Sequence, residues 1–394
     1  MPSVQKGSRH HSGTIQKELT VFMNKVKLLL AKDPVLYISG ILAFISAFIV
    51  TPDREYIGYI NFRVLAILLS LMLVVSACVR IGTFDYMTSK LLGKIKGQRR
   101  IAALLVVLSF FLSMLLTNDV TLVTLVPFAI MVLKAFDDPK SMMFTLIFMT
   151  VATNLGSMLT PIGNPQNLYL YTNYGMDLPG FLLLMLPYSA LSLALISIGV
   201  FIFCKEKTSS RETDIKSTPA PSPVKLAVYL VLFLICVLTV AGYIHYLIML
   251  AVTTVVILIM DRKAFKGADY ALLLTFVFFF VLIGNIGRIP AVSGTLSSIV
   301  GKNPVLTAIL SSQIISNVPA AMLLSAFTDD GKSLVIGTNL GGLGTLIASM
   351  ASLITYKYHA RLDAKEKGGN YILAFSVVNI VLLIVLYSVY LLIS

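Results

Sequence analysis

Residues Thr153 to Asn167 read T-N-L-G-S-M-L-T-P-I-G-N-P-Q-N, a run of amides, hydroxyls, glycines and prolines inside an otherwise apolar segment. A second run, T-N-L-G-G-L-G-T from Thr338 to Thr345, repeats Thr153, Asn154, Leu155, Gly156 and Thr160 as Thr338, Asn339, Leu340, Gly341 and Thr345, each 185 positions on. Glycine and proline interrupt a helix, and paired interruptions at matching places in two hydrophobic halves point to the binding site of a transporter.

The surrounding chain has the composition that such a reading requires. Of its 394 residues, 57% are hydrophobic and 12% charged, about half the charged share of a soluble domain. The chain therefore reads as an all-α polytopic membrane protein embedded in a lipid bilayer. A formal net charge of +13 would suit a nucleic-acid binder, but Lys and Arg accumulate on the cytoplasmic side of membrane proteins, so no nucleic-acid partner is expected. Cys78, Cys204 and Cys236 lie in or beside apolar segments without C-x-x-C spacing and read as small core residues.

In chain order, residues 1–33 read as a cytoplasmic tail followed by an interfacial amphipathic helix. Apolar runs over 34–51 and 63–80 are each near the ~20 residues that cross a bilayer core. The next apolar stretch, 101–136, is split by Thr117-Asn118-Asp119 and reads as a re-entrant hairpin with a polar tip, because backbone leaves helical geometry in a bilayer only where protein or a watered cavity satisfies it. The span 141–171 is broken at the opening run, and 180–204 completes a first repeat over 34–204. Residues 205–223 form a charged, Pro-containing cytoplasmic linker and 224–242 a linking span. Residues 243–394 then repeat the order: spans 246–260 and 269–287, a hairpin around Ser316-Asn317-Val318, a broken span 333–358 and a last span 371–393.

The result is two inverted repeats, each with a re-entrant helical hairpin and a broken transmembrane helix, with about nine crossings plus the two hairpins. With the N-terminus cytoplasmic and the C-terminus outside, 26 Lys and Arg fall on cytoplasmic segments, and only Arg54, Arg63, Arg288, Lys302 and Lys332 fall outside. That split obeys the positive-inside rule and fits a multi-pass protein of the cell (inner) membrane. It also brings the two tips toward one level from opposite sides.

Half-helices that end within the membrane direct partial positive N-termini and partial negative C-termini at a ligand, so one cavity can hold an anion beside a cation. The candidate site residues are Thr117, Asn118, Asp119, Asn154, Gly156, Gly163, Asn164, Ser316, Asn317, Val318, Asn339, Gly341 and Thr345. Thr117, Asn118, Gly156, Ser316 and Asn317 are the candidates for holding Na⁺. The glycines are expected to let backbone approach a ligand. A lone Asn in a membrane helix usually satisfies another helix; four of them in two matching tip-and-break pairs favour a site. Asp119 is the one acidic residue at either tip, placed to carry a coupling proton, complete a cation site or cap the following helix.

Arg80 and Arg288, at related span ends, are expected to snorkel to headgroups rather than receive anions. The four histidines are read as lying in tails or loops. Gly331-Lys332-Ser333 imitates the end of a phosphate-binding loop, but Ala326 stands where its first glycine belongs. With no enzyme motif the chain is not expected to be an enzyme, and no cofactor is implied beyond Na⁺ or H⁺ as coupling ion.

At these residues the sequence resembles the ion transporter superfamily, which includes citrate transporters, divalent anion:sodium symporters, arsenite permeases and a class of sodium/proton antiporters. The resemblance covers roughly 34–394. Thr117-Asn118-Asp119 and Ser316-Asn317-Val318 occupy the family's Ser-Asn-Thr-like tips, and Gly156 to Asn167 and Gly341 to Ala351 its breaks. The first break looks like the symporters' first sodium-site loop, whereas the T-N-D tip and T-L-I-A-S-M-A-S in the second break lie nearer the arsenite and sodium/proton branches. The resemblance implies a homodimer and an elevator-type mechanism. The expected function is secondary active transport of a small anion, a carboxylate or inorganic oxyanion, coupled to Na⁺ or H⁺. Its alternatives are a sodium/proton antiporter, an arsenite-type efflux permease, and a channel subunit of an ATPase-driven pump.

Overall fold

Short polar residues followed by proline or an apolar run mark most helix starts, and in a computed structural model Asn61, Asp138, Asn164, Asp177, Asn303 and Asp330 cap the helices that follow them. The structure describes residues 34–92, 95–208 and 219–393. The expected tail and interfacial helix at 1–33, Lys94 and most of the linker lie outside the described residues.

The first helices are α1 (Pro34–Ile49), α2 (Glu55–Tyr59), α3 (Phe62–Arg80) and α4 (Thr83–Leu92). The first hairpin is α5 (Gln98–Leu116) and α6 (Asn118–Leu133), followed by the broken pair α7 (Pro139–Ser157) and α8 (Pro165–Asn173), then α9 (Leu178–Phe203). After the linker come α10 (Pro223–Val240), α11 (Tyr246–Met260), α12 (Tyr270–Gly287) and α13 (Pro290–Lys302). The second hairpin is α14 (Pro304–Ile315) and α15 (Asn317–Ser325), the second broken pair α16 (Gly331–Leu340) and α17 (Met350–Ala360), and the last helix α18 (Tyr371–Ile393). Among the described residues there is no strand, and seven helices are long and apolar enough to cross a membrane.

Capping explains where the site helices begin. The Asp138 carboxylate accepts the Ser141 N–H at 3.1 Å ahead of α7, and the Asp330 carboxylate accepts the Ser333 N–H at 3.0 Å ahead of α16. Asn303, followed by Pro304, caps α14 by accepting the Leu306 N–H at 2.9 Å. Each such bond is worth about 1 kcal/mol.

Contacts divide the described chain into two units, 34–60 with 270–288, and the remainder. In the first unit α1 packs on α12, with Gly40 against the Phe278 ring and the Ser46 hydroxyl accepting the Asn285 amide at 2.9 Å. Ile38, Ile41, Ile45 and Phe48 of α1 remain exposed, as lipid-facing side chains are. The second unit holds both hairpins and both broken helices. In it α5 packs on α7 and α14 on α16, so each hairpin's first arm lies along the broken helix of its own half. The second arms cross over, α6 onto α17 and α15 onto α8. The three cysteines are buried and free.

Candidate functional site

Each hairpin turns on one residue. Thr117 has φ 74° and ψ 153°, and Ser316 has φ 72° and ψ 155°. This backbone region belongs to glycine, and other side chains occupy it at a cost of about 1–3 kcal/mol. Neither hydroxyl caps the helix that follows. The polar tips were legible in sequence, whereas their strained one-residue geometry was not. Asn118 and Asn317 open the second arms and are buried, with Val318 half-buried behind the second tip.

The two breaks run between α7 and α8 and between α16 and α17. Asn164 is the N-cap of α8 and accepts the Asn167 N–H at 2.9 Å; Ser349 is the N-cap position of α17. These two N-cap positions are again 185 positions apart, although the Ser349 hydroxyl makes no capping bond.

Contacts repeat with the halves exchanged. Asn154 Oδ1 accepts the Ser349 hydroxyl at 2.9 Å, and Asn339 Oδ1 accepts the Asn164 amide at 3.1 Å. Adding 185 to Asn154 and subtracting it from Ser349 yields the second pair, Asn339 and Asn164. In the same way Thr160 Oγ1 donates to Met114 O at 2.6 Å and Thr345 Oγ1 to Gln313 O at 3.3 Å, each carbonyl lying three residues before its tip. Gly156 and Gly341 also match. A Cβ on Gly156 would lie 2.1 Å from Phe110 O, and one on Gly341 2.6 Å from Ser312 Oγ. The close approach expected of these glycines is made by the hairpin arms. Gly163 is likewise closed in by its own loop, with Ser157 O 2.2 Å from where its Cβ would be.

Further amides complete the network. Asn154 Oδ1 also accepts the Asn118 amide at 3.3 Å, and Asn154 Nδ2 donates to Gly342 O at 3.4 Å. Asn339 Nδ2 donates to Asn167 Oδ1 at 2.6 Å. The Asn317 N–H and the Ser316 hydroxyl both reach Ala348 O, at 3.0 and 3.4 Å. Asn154, Asn164, Asn167, Asn339 and Ser349 are all buried, whereas Thr345 is exposed. Sequence reasoning missed Asn167, Ser349 and Gln313. The offset itself, carried from Asn164, was the signal for Ser349.

Asp119 lies in the first turn of α6, half-buried, and its Oδ1 is shielded without a hydrogen-bond partner. It is not the N-cap; that position is Thr117. A first-turn carboxylate is favoured by the helix dipole. Four helices, α6, α8, α15 and α17, begin at the tips and breaks, so their N–H groups suit an anion and the carbonyl ends of the preceding helices suit a cation.

One sequence expectation is corrected, and two residues gain partners. Arg80 and Arg288, read as snorkelling, form ion pairs. Arg80 binds Asp261 at 2.8 Å, and Arg288 binds Asp53 at 2.7 Å, Tyr59 at 3.0 Å and Glu55 at 3.4 Å. The Arg288 hydrogen bond holds the Asp53 carboxyl below its usual range. His359 is not in a loop. It is buried in the last turn of α17, where Nε2 meets Lys367 O at 2.9 Å and the ring lies 4.6 Å from Tyr371.

Membrane-length apolar helices, broken twice at matched, amide-rich places, define a multi-pass membrane transporter. Comparison with known families agrees: the family model described as citrate transporter matches residues 22–330. The chain belongs to the citrate transporter family, within the ion transporter superfamily. It is 33% identical over 335 residues to an uncharacterized transporter of Methanocaldococcus jannaschii, covering 84% of this chain and 90% of that one. The inner membrane protein YbiR of Escherichia coli is 29% identical over 316 residues, covering 79% and 84%. A shorter match, 32% over 148 residues, covers 38% of this chain and 30% of the silicon efflux transporter LSI3 of Oryza sativa subsp. japonica.

Proposed function

We propose that the protein is a secondary active transporter that moves a small anion, a carboxylate or inorganic oxyanion, coupled to Na⁺ or H⁺. The observation that carries this reading is the exchanged pair of bonds, Asn154 with Ser349 and Asn339 with Asn164, which ties two half-sites together at the helix breaks. In this reading Asn118 and Asn317 contact substrate or cation, together with Thr117, Ser316 and the helix N-termini. Asn154, Asn164, Asn339, Thr345 and the glycines Gly156, Gly163 and Gly341 shape the two half-sites, and Val318 lines the second tip. Gly156 shares the first Na⁺ position with Thr117 and Asn118, and Ser316 and Asn317 form the second. The protein works as a homodimer in the inner membrane by an elevator-type movement, N-terminus cytoplasmic and C-terminus outside.

A second reading, sodium/proton exchange without an anion, draws on the unpartnered Asp119 Oδ1, since ionisable groups inside a membrane are costly unless used. The name of the rice relative adds silicic acid to the substrates worth testing. Purified protein in liposomes, offered citrate, succinate, phosphate, sulfate, arsenite and silicic acid under imposed Na⁺ or pH gradients, separates these readings. Saturable, gradient-driven anion flux supports the first. Na⁺-driven proton movement without anion, abolished by Asp119→Asn, supports the second, and flux without saturation or coupling contradicts both.

A further inference from the structure

The two breaks match in backbone but are fastened differently. In the second half, Gln313 of α14 reaches across to the break: Nε2 donates to Gly341 O at 3.0 Å and Leu343 O at 2.9 Å, and Oε1 accepts the Thr345 N–H at 2.9 Å. The same amide also donates to Ile309 O, within its own helix, at 3.2 Å. Gly344, at φ +107°, lies against this amide, so that a Cβ there would meet Oε1 at 2.3 Å. The position matching Gln313 in the first hairpin is Met114, which has no donor to offer.

In the first half the carbonyls of the break are taken from within the same broken helix. Asn167 Nδ2, in the first turn of α8, lies 3.4 Å from Ser157 O, 3.2 Å from Met158 O and 3.2 Å from Thr160 O, to which it donates. The position matching Asn167 is Ser352, whose buried hydroxyl has no partner. One primary amide therefore holds each break, supplied by the hairpin arm in one half and by the broken helix in the other. The bond from the Asn317 N–H to Ala348 O adds to the second link. No backbone bond joins the matching Asn118 N–H to Gly163 O.

We propose that Gln313 is a positioning residue that fastens the second break to its own hairpin, so that α14, α15 and residues 341–349 move as one piece, while the first break is shaped by Asn167 and meets its own hairpin arm through the Thr160 hydroxyl bond to Met114 O at 2.6 Å, with no side-chain amide between them. This rests on the reading of the breaks as the transport site. The consequence is a functional asymmetry between half-sites of matching backbone. Displacing the second hairpin carries its half-site along, whereas the first hairpin's tip moves over a half-site already set by Asn167.

Hydrogen–deuterium exchange on the full-length protein tests it without a substrate. Gln313→Met is expected to accelerate exchange over 341–349 by about tenfold, the effect of losing one or two hydrogen bonds, and to leave 158–164 unchanged; Asn167→Ala, which also frees the Asn339 amide, is expected to accelerate 158–164 more than 341–349. Gly344→Ala attacks the same link from the break side and should reproduce the Gln313→Met pattern, which keeps the test available if one variant fails to fold. Unchanged exchange over 341–349 in both second-half variants, or equal acceleration in both breaks, overturns the proposal. Radiolabelled citrate and arsenite uptake by the same variants isolates the site reading. Local loosening with a KM shifted several-fold supports both, whereas local loosening with unaltered KM and maximal rate for whichever probe is transported supports the fastening and contradicts the site.

Discussion

At Thr117 and Ser316 the backbone holds a conformation that glycine visits freely, and neither residue is glycine. Strain kept in this way marks a place where the side chain is needed. Thr117→Gly is therefore expected to raise the unfolding free energy by about 1 kcal/mol, the relieved strain less the added flexibility of glycine, whereas Thr117→Ala gives no such gain; thermal unfolding of the purified variants measures both. In the transport assay the glycine variant should be more stable and less active. Single residues were legible in sequence where a hydroxyl-amide pair interrupts an apolar run, as with Thr117-Asn118, Thr153-Asn154, Ser316-Asn317 and Thr338-Asn339. Partners were not legible where they lie far along the chain. Arg80 meets a carboxylate 181 positions away and Arg288 one 235 positions away, distances at which no local pattern carries information. Ser349 was overlooked because a serine before a helix is common, and Gln313 because its reach to the break depends on how α14 and α16 pack.

Among the elements, helices and their interruptions followed from apolar run lengths and from glycine, proline and capping residues, which act locally. The crossing of the second arms, α6 onto α17 and α15 onto α8, is tertiary and was not legible. The first arms instead depend on two glycines, and the atoms facing them set an order of tolerance. Gly156→Ala pushes a methyl to 2.1 Å from a backbone carbonyl, Phe110 O, while Gly341→Ala meets the Ser312 hydroxyl at 2.6 Å and a backbone carbonyl, Gly337 O, only at 2.8 Å. The first substitution is expected to cost about 1–3 kcal/mol as overpacking against fixed atoms and the second clearly less. Unfolding of the two variants side by side checks this, and an equal cost would show that the arms yield equally in both halves.

At the scale of the larger unit, each long-range loop contact joins segments that the charge count puts on one side: Arg80 with Asp261, Lys134 with Glu366 and the Lys207 ammonium with Asp137 O for the expected cytoplasmic segments, and Tyr174 with Thr328 O for the expected outer ones. Single cysteines replacing Lys263 and Lys367 are accordingly expected to react with an impermeant maleimide from the cytoplasmic face only, and those replacing Lys302 and Lys332 from the outer face only. Labelling of both groups from one face would overturn the inverted arrangement. The central claim, that the two tips and two breaks form one transport site, is tested most directly by gradient-driven uptake of the anion panel into liposomes carrying wild type, Asn118→Ala or Asn317→Ala. Saturable uptake that is lost in both variants, with each still folded, is the predicted result; undiminished uptake in both would contradict it.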